Sequence, residues 1–176
     1  MRSFLGRDPL DEPEPLIRQV YAYAAYRLGD GPDAEDVTSD VFERAIRYRK
    51  SYDRSKGEPL GWLLGIARRC VDTTLAARPR DRAETEEIAD TRSMEDDSVR
   101  RLALSAALAQ LSDRDRELVA LRYGAELTAA QIAEVMDMQT NAVEVALHRA
   151  LRRLRQLLEA QEGTAAAPRL SDAGRL

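Results

Sequence analysis

Residues 128–155 read TAAQIAEVMDMQTNAVEVALHRALRRLR, and this stretch decides the fold of the second half of the chain. Thr128 and Gln131 have the spacing of a capping box, in which each side chain satisfies a backbone amide at the start of a helix. Residues 137–138 then supply a turn, and Thr140 is predicted to cap a second, longer helix. A short helix, a tight turn and a longer helix form a helix-turn-helix, the arrangement that places a helix in the major groove of DNA.

Helical periodicity also predicts the surrounding elements. In residues 14–78 three apolar stripes recur at a spacing of three and four residues, which predicts a three-helix bundle. Stop and turn signals fill residues 29–32, Asp33 is placed to cap the second helix, and Pro59 is placed in the first turn of the third. The buried stripe of the second helix is predicted to consist of Val37, Val41, Phe42, Ala45, Ile46 and Tyr52.

Between the two helical halves the apolar repeat disappears. Residues 79–104 are predicted to form an acidic linker, because most of this stretch is charged or polar and lacks a continuous apolar stripe. Periodicity returns in residues 105–160, where Ser112 is a good helix cap and Gly124 is predicted to end its helix. Residues 1–13 and residues 161–176 are predicted to be a flexible N-terminus and a disordered tail.

Composition agrees with an all-α protein of two small helical domains. Of 176 residues 33% are charged and only 5% are aromatic, which is typical of soluble helical proteins. No apolar run reaches the roughly 18–20 residues that span a bilayer, and the start lacks a secretory segment, so we expect a cytoplasmic protein without membrane insertion.

The sequence offers little for catalysis or metal binding. Cys70 is the only cysteine and His148 the only histidine, so we expect no internal disulfide, no zinc site and no cofactor. No catalytic triad and no phosphate-binding glycine loop is found, and an enzyme acting on a small-molecule substrate is therefore the least favoured class. The net charge of −4 means that DNA contact must come from local basic clusters, such as the arginines that follow His148.

Four segments together resemble the extracytoplasmic-function (ECF) group of bacterial sigma-70 sigma factors. Residues 33–42 read DAEDVTSDVF and resemble the family's D-A-E-D-L-x-Q-E-x-F. Residues 62–68 read WLLGIAR and resemble W-L-x-x-I-A-R. Residues 111–123, LSDRDRELVALRY, resemble L-P-x-x-x-R-E-x-x-x-L-R-Y, and residues 147–150 match L-H-R-A.

The resemblance implies a function and a set of partners. Residues 14–78 would bind the β′ clamp helices of core RNA polymerase and open the −10 promoter element, and residues 105–160 would bind the −35 element beside the β flap. It also implies an anti-sigma partner. The residues implied are Asp33, Asp36, Ser39, Asp40 and Arg44 for polymerase; Arg54, Lys56, Arg68 and Arg69 for −10 DNA; and Thr128, Thr140, Asn141, Glu144, His148, Arg149, Arg152 and Arg153 for −35 DNA.

Three departures from the family pattern affect these expectations. Ser39 replaces a frequent Gln on the polymerase-facing helix, and Arg69 replaces an Asn close to where the −10 element is handled. Glu144 and Ala146 stand where the recognition helix usually carries Lys or Arg. Glu144 could accept a hydrogen bond from cytosine, or it could merely repel phosphates.

Two other classes of protein remain open on this sequence. One is a stand-alone helix-turn-helix regulator whose front half serves dimerisation or sensing. The other is a sigma-like adaptor that binds polymerase but has reduced DNA binding, which the missing cations at positions 144 and 146 would permit. Binding to core polymerase separates the regulator from the other two, and promoter-specific transcription separates the adaptor from the sigma factor.

Overall fold

The computed structural model describes residues 8–78 and 95–165, and within these ranges the regular structure is entirely helical. The front half contains α1 (Pro13–Leu28), α2 (Pro32–Tyr48) and α3 (Pro59–Ala77), with two 3₁₀ turns between α2 and α3. The back half contains α4 (Glu95–Ala109), α5 (Asp113–Val119), a π-helical turn (Ala120–Gly124), α6 (Ala129–Met136) and α7 (Thr140–Ala165).

All three front helices begin at prolines, whereas the sequence predicted a proline start only for α3. Pro13, Pro32 and Pro59 each lie in the first turn, where the missing amide hydrogen costs nothing and the fixed φ favours a helix. Asp33 was predicted to cap α2, but the cap position is Gly31 and no side chain caps this helix. The reason is that α2 begins two residues earlier than this cap would require, so that Asp33 lies within its first turn.

A single apolar core runs through both halves. Val20, Tyr23 and Ala24 of α1 are fully buried in the same cluster as Leu118, Leu121 and other residues of the back half. A second, smaller cluster joins α4, α5 and α7 through residues that include Ala107, Leu108, Ala150 and Leu154. The front and back halves are thus packed directly against each other.

Three sequence predictions about the limits and faces of elements are wrong in part. Residues 95–104 of the predicted linker are helical, because α4 begins at Glu95, where acidic residues favour the positive end of a helix, and Leu104 packs beside the second cluster. Residues 161–165 of the predicted tail continue α7. Ile46 is 59% exposed, because it lies to one side of the buried stripe of α2. Gly124, in contrast, is the last residue of the π-helical turn, so the helical backbone ends where the sequence predicted.

Other expectations about the chain ends and the linker fall on residues that lie outside the described ranges, namely 1–7, 79–94 and 166–176. In the described part of the chain, no helix is both long enough and apolar enough to cross a membrane.

Candidate nucleic-acid interface

The helix-turn-helix forms as the sequence predicts. The Thr128 hydroxyl accepts a hydrogen bond from the Gln131 amide (3.3 Å), and the Gln131 side-chain oxygen accepts one from the Thr128 amide (2.9 Å), which completes the capping box. Asp137 makes the turn in the left-handed region with a φ of 52°. Thr140 was predicted as a cap but is the first residue of α7, because that helix starts one residue earlier than the pattern suggested.

One face of α7 is buried and the opposite face is open to solvent. Val143, Leu147, Ala150 and Leu154 are buried at helical spacing, and they fix α7 against the rest of the back half. Every side chain predicted to contact −35 DNA is exposed, and the predicted residues on α7 lie away from its buried stripe. The exposed residues are Thr128 at the start of α6, and Thr140, Asn141, Glu144, His148, Arg149, Arg152 and Arg153 on α7. Four of these eight residues are cationic or imidazole side chains that can reach phosphates.

Only some of the α2 residues predicted to bind polymerase are exposed. Asp36, Ser39 and Asp40 are exposed, and Asp40 forms a long ion pair of 3.9 Å with Arg44. Ser39 donates to the Glu35 carbonyl within its own helix. Asp33 is instead bound by Arg78, whose guanidinium also donates to the Leu28 carbonyl, so Asp33 ties α2 to the ends of α1 and α3.

Arg44 lies at the edge of the core. Its guanidinium donates to the Cys70 thiol at 3.1 Å, which joins α2 to α3. Burial raises the pKa of the Cys70 thiol, and the neighbouring Arg44 opposes that rise. Arg44 is half-buried, so only part of its side chain is open to solvent.

Of the four residues predicted to contact −10 DNA, three are exposed and one is not. Arg54 and Lys56 lie on a 3₁₀ turn whose cap is Asp53, and Arg69 lies on the open side of α3. Nearby, the rings of Tyr52 and Trp62 pack at a centroid distance of 5.5 Å and hold this turn against α3. Arg68, in contrast, points into the contact between the two halves.

Four residues at that contact form what we call the interface cluster: Tyr23, Arg27, Arg68 and Glu117. The Glu117 carboxylate lies 2.9 Å from Arg27 Nε and 2.9 Å from Arg68 Nε, and it accepts a hydrogen bond from the Tyr23 hydroxyl. Burial, and then the Glu117 charge, raises the pKa of Tyr23.

Sequence reasoning missed this cluster. Glu117 and Arg68 were both noticed as parts of family-like motifs, but nothing in one sequence shows that residues so far apart meet. The available signal was the pair of apolar residues that follows Glu117, because Leu118 and Val119 indicate that position 117 lies beside a core. A glutamate buried at such a position needs hydrogen-bond donors or cations to compensate its charge.

Comparison with known families agrees with this arrangement of elements. Residues 14–79 match the model of Sigma-70 region 2, and residues 101–154 match the model of Sigma-70 region 4. The chain belongs to the ECF sigma factors. Among curated relatives, this sigma factor is 35% identical over 147 residues to BldN of Streptomyces coelicolor, a match that covers 79% of this chain and 56% of BldN. It is 33% identical to SigD of Mycobacterium tuberculosis, covering 85% of this chain and 76% of SigD.

Two solved structures share the fold of this sigma factor. The sigma factor RpoE in complex with the anti-sigma factor NepR from Bartonella quintana gives a TM-score of 0.66 at 20% identity, covering 82% of this chain and 92% of that one. CnrH in complex with the cytosolic domain of CnrY gives a TM-score of 0.58 at 20% identity, covering 83% and 81%.

Proposed function

We propose that this sigma factor directs core RNA polymerase to specific promoters, with its front half on the −10 element and its back half on the −35 element. The observation that carries the proposal is the exposed face of α7, which holds the predicted −35 residues opposite a continuous buried stripe. A helix presented in this way can enter the major groove while its neighbours contact the backbone.

The front half supplies the attachment to polymerase. Asp36 and Asp40 are exposed on α2, and a carboxylate pair on a polar face suits a basic partner surface. We assign these two residues and Ser39 to the β′ clamp helices. Asp33 has a structural role as the partner of Arg78, and any contact it makes with polymerase is secondary to that role.

The protein would act by binding and without chemistry of its own. Its partners are promoter DNA and core polymerase, with the β flap beside the back half. Both partners are in the cytoplasm, and the protein would act there. An anti-sigma factor is a third partner, in keeping with the complexes in which the related folds were solved.

Reconstituted transcription tests this function. The full chain is added to core polymerase and a library of genomic promoter fragments, and transcripts are mapped to their start sites. We expect a discrete set of promoters that share motifs near −10 and −35. Transcripts that do not depend on the added chain would contradict the proposal.

A second candidate is a polymerase adaptor with reduced DNA binding. It is favoured by Glu144, which is exposed on the recognition face and carries a charge that phosphates repel. In that case the chain would co-purify with core polymerase but would select no promoters in the transcription assay.

A further inference from the structure

One apolar side chain lies among the polar residues on the exposed face of α7. Val145 is 51% exposed, although the other valine of this helix, Val143, is completely buried. An exposed valine contributes little to the helix itself, because its branched side chain loses rotamer freedom there. Neither packing nor helix propensity therefore accounts for a valine at position 145.

The helical repeat fixes the direction in which Val145 projects. Successive residues of an α-helix are rotated by about 100°, so the buried stripe that includes Val143 and Leu147 defines one direction from the axis of α7. Val145 projects about 170° away from the mean direction of that stripe. It therefore lies on the midline of the exposed face.

Polar side chains surround Val145 on this face. Asn141 lies one turn before it, His148 and Arg149 lie one turn after it, and all three are exposed. Each of these three was predicted to contact −35 DNA, whereas Val145 was not. An apolar centre inside a polar rim is common in recognition surfaces, because the rim keeps water away from the central contact.

The dimensions of the major groove place this midline at the base pairs. An α-helix with its side chains is about 10–12 Å across, and the groove is about 12 Å wide and about 8.5 Å deep. A helix that enters the groove with its buried stripe facing outwards presents the opposite side to the groove floor. Val145 would then reach base edges, whereas phosphates line the groove on either side.

A valine can distinguish only one feature of the groove floor. Its side chain has no hydrogen-bond donor or acceptor, so it cannot read the amino, carbonyl and ring-nitrogen groups of the bases. The one apolar group that base pairs present in the major groove is the C5 methyl group of thymine. Contact between two apolar groups removes both from water, which is favourable, whereas a polar base edge beneath Val145 would lose its hydration.

We infer that Val145 reads a thymine methyl group in the −35 element and so determines part of the promoter preference. The inference rests on the proposed binding of −35 DNA by the back half. It is separate from any contact of Glu144, because neighbouring residues project about 100° apart and face different parts of the groove. An apolar contact of this kind gives the recognition helix specificity that does not depend on cations at positions 144 and 146.

The first measurement is selection by holoenzyme, made with the full chain, from a pool of random-sequence duplexes long enough to hold both promoter elements. We expect the wild type to enrich thymine at one position of the upstream element, and Val145→Ser to lose this preference while other positions keep theirs. Serine suits the comparison, because its helix propensity is close to that of valine. The matched control is Val99→Ser, which removes a valine that is 63% exposed on α4 and should leave the preference unchanged.

The second measurement removes the same methyl group from the DNA. In the selected duplex each upstream thymine is replaced in turn by deoxyuracil, which pairs identically but lacks the C5 methyl group. At one position this change should weaken binding of the wild-type holoenzyme roughly three- to fivefold, which is the effect of exposing one methyl-sized apolar group. The same change should not affect Val145→Ser, and Val145→Thr, which keeps one methyl group, should retain part of the effect.

The possible failures are distinguishable. A wild type that selects a sequence but tolerates deoxyuracil at every upstream thymine would overturn the inference and leave the proposed function intact. An equal loss of affinity for Val145→Ser on thymine and deoxyuracil duplexes would also overturn it, because the valine would then contact something other than the methyl group. A wild type that selects no sequence at all would contradict the proposed function together with the inference.

Discussion

Glu144 is an acidic residue on the face of α7 that we assign to −35 DNA. It is exposed on α7, one turn after the start of the helix, where a recognition helix presents side chains to base edges. A glutamate there can accept a hydrogen bond from the N4 amino group of cytosine, which is worth about 1–3 kcal/mol of discrimination.

We therefore predict that Glu144→Ala relaxes promoter preference at a single −35 position. The measurement is binding of the variant holoenzyme to a panel of −35 substitutions, with wild-type holoenzyme as the reference. A uniform gain in affinity for every sequence would instead identify Glu144 as a repulsive element and exclude base reading.

The buried hydroxyl of Tyr23 leads us to predict that the free energy of unfolding falls at alkaline pH. Its hydroxyl is buried against Glu117, and its pKa is raised above the unfolded value near 10, so the folded state keeps a proton that the unfolded state loses. The stability that this proton contributes is complete below about pH 10 and is lost as pH rises from there through the folded pKa, with a slope of up to about 1.4 kcal/mol per pH unit. Tyr21 adds to the same trend, because its hydrogen bond to Asp30 raises its pKa to about 12.

Urea unfolding at pH 9, 10 and 11 measures this slope. We expect Tyr23→Phe to lower the dependence on pH above 10, and Tyr48→Phe, at an exposed position, to leave it unchanged. Equal slopes in all three proteins would mean that Tyr23 titrates at its ordinary pKa.

At the scale of elements, α2 is the test of polymerase docking. Reversing two exposed charges with Asp36→Arg and Asp40→Arg should weaken binding to core polymerase by about tenfold or more, because attraction becomes like-charge repulsion across the interface. Binding of the labelled chain to core polymerase is the measurement. The control is Glu14→Arg with Glu58→Arg, which changes the net charge equally at exposed positions outside α2.

A folded double variant with wild-type affinity for polymerase would show that the clamp contact lies elsewhere. Asp33 is left out of this variant on purpose. Its pairing with Arg78 means that its substitution would loosen the front bundle and confuse docking with folding.

The individual elements could largely be predicted from the sequence, because their causes are local. The capping box of α6, the Ser112 cap, the proline at the start of α3 and the buried stripe of α7 depend on residues within a turn or two of each other. The start of α4 was missed because its first residues are acidic, and acidic residues in a first helical turn resemble a linker when charge alone is considered.

The contact between the halves could not be predicted from these patterns. Tyr23 and Glu117 are 94 residues apart, and their pairing depends on how α1 and α5 pack rather than on any repeat. A second role of Gly124 was also missed. The sequence predicts a helix end at this glycine, and the helical turn does end there, but the glycine also allows two backbones to approach closely.

For the molecule as a whole, charge predicts weak binding of free protein to DNA. The chain has 27 basic against 31 acidic residues, so few phosphates can be neutralised without help from polymerase. We expect holoenzyme to bind promoter DNA at least about a hundredfold more tightly than the free chain at physiological salt, as measured by fluorescence anisotropy. A nanomolar complex of the free chain with its promoter would favour the stand-alone regulator.

The most direct test of the account is site-specific photocrosslinking in the holoenzyme on a promoter that it transcribes. A photoreactive residue at His148 on α7 should crosslink to −35 DNA, and one at Arg54 in the front half should crosslink to −10 DNA, in complexes that contain core polymerase. Both crosslinks should disappear when core polymerase is omitted. Crosslinks from only one half, or at the same strength without polymerase, would contradict the assignment of the two halves to the two promoter elements.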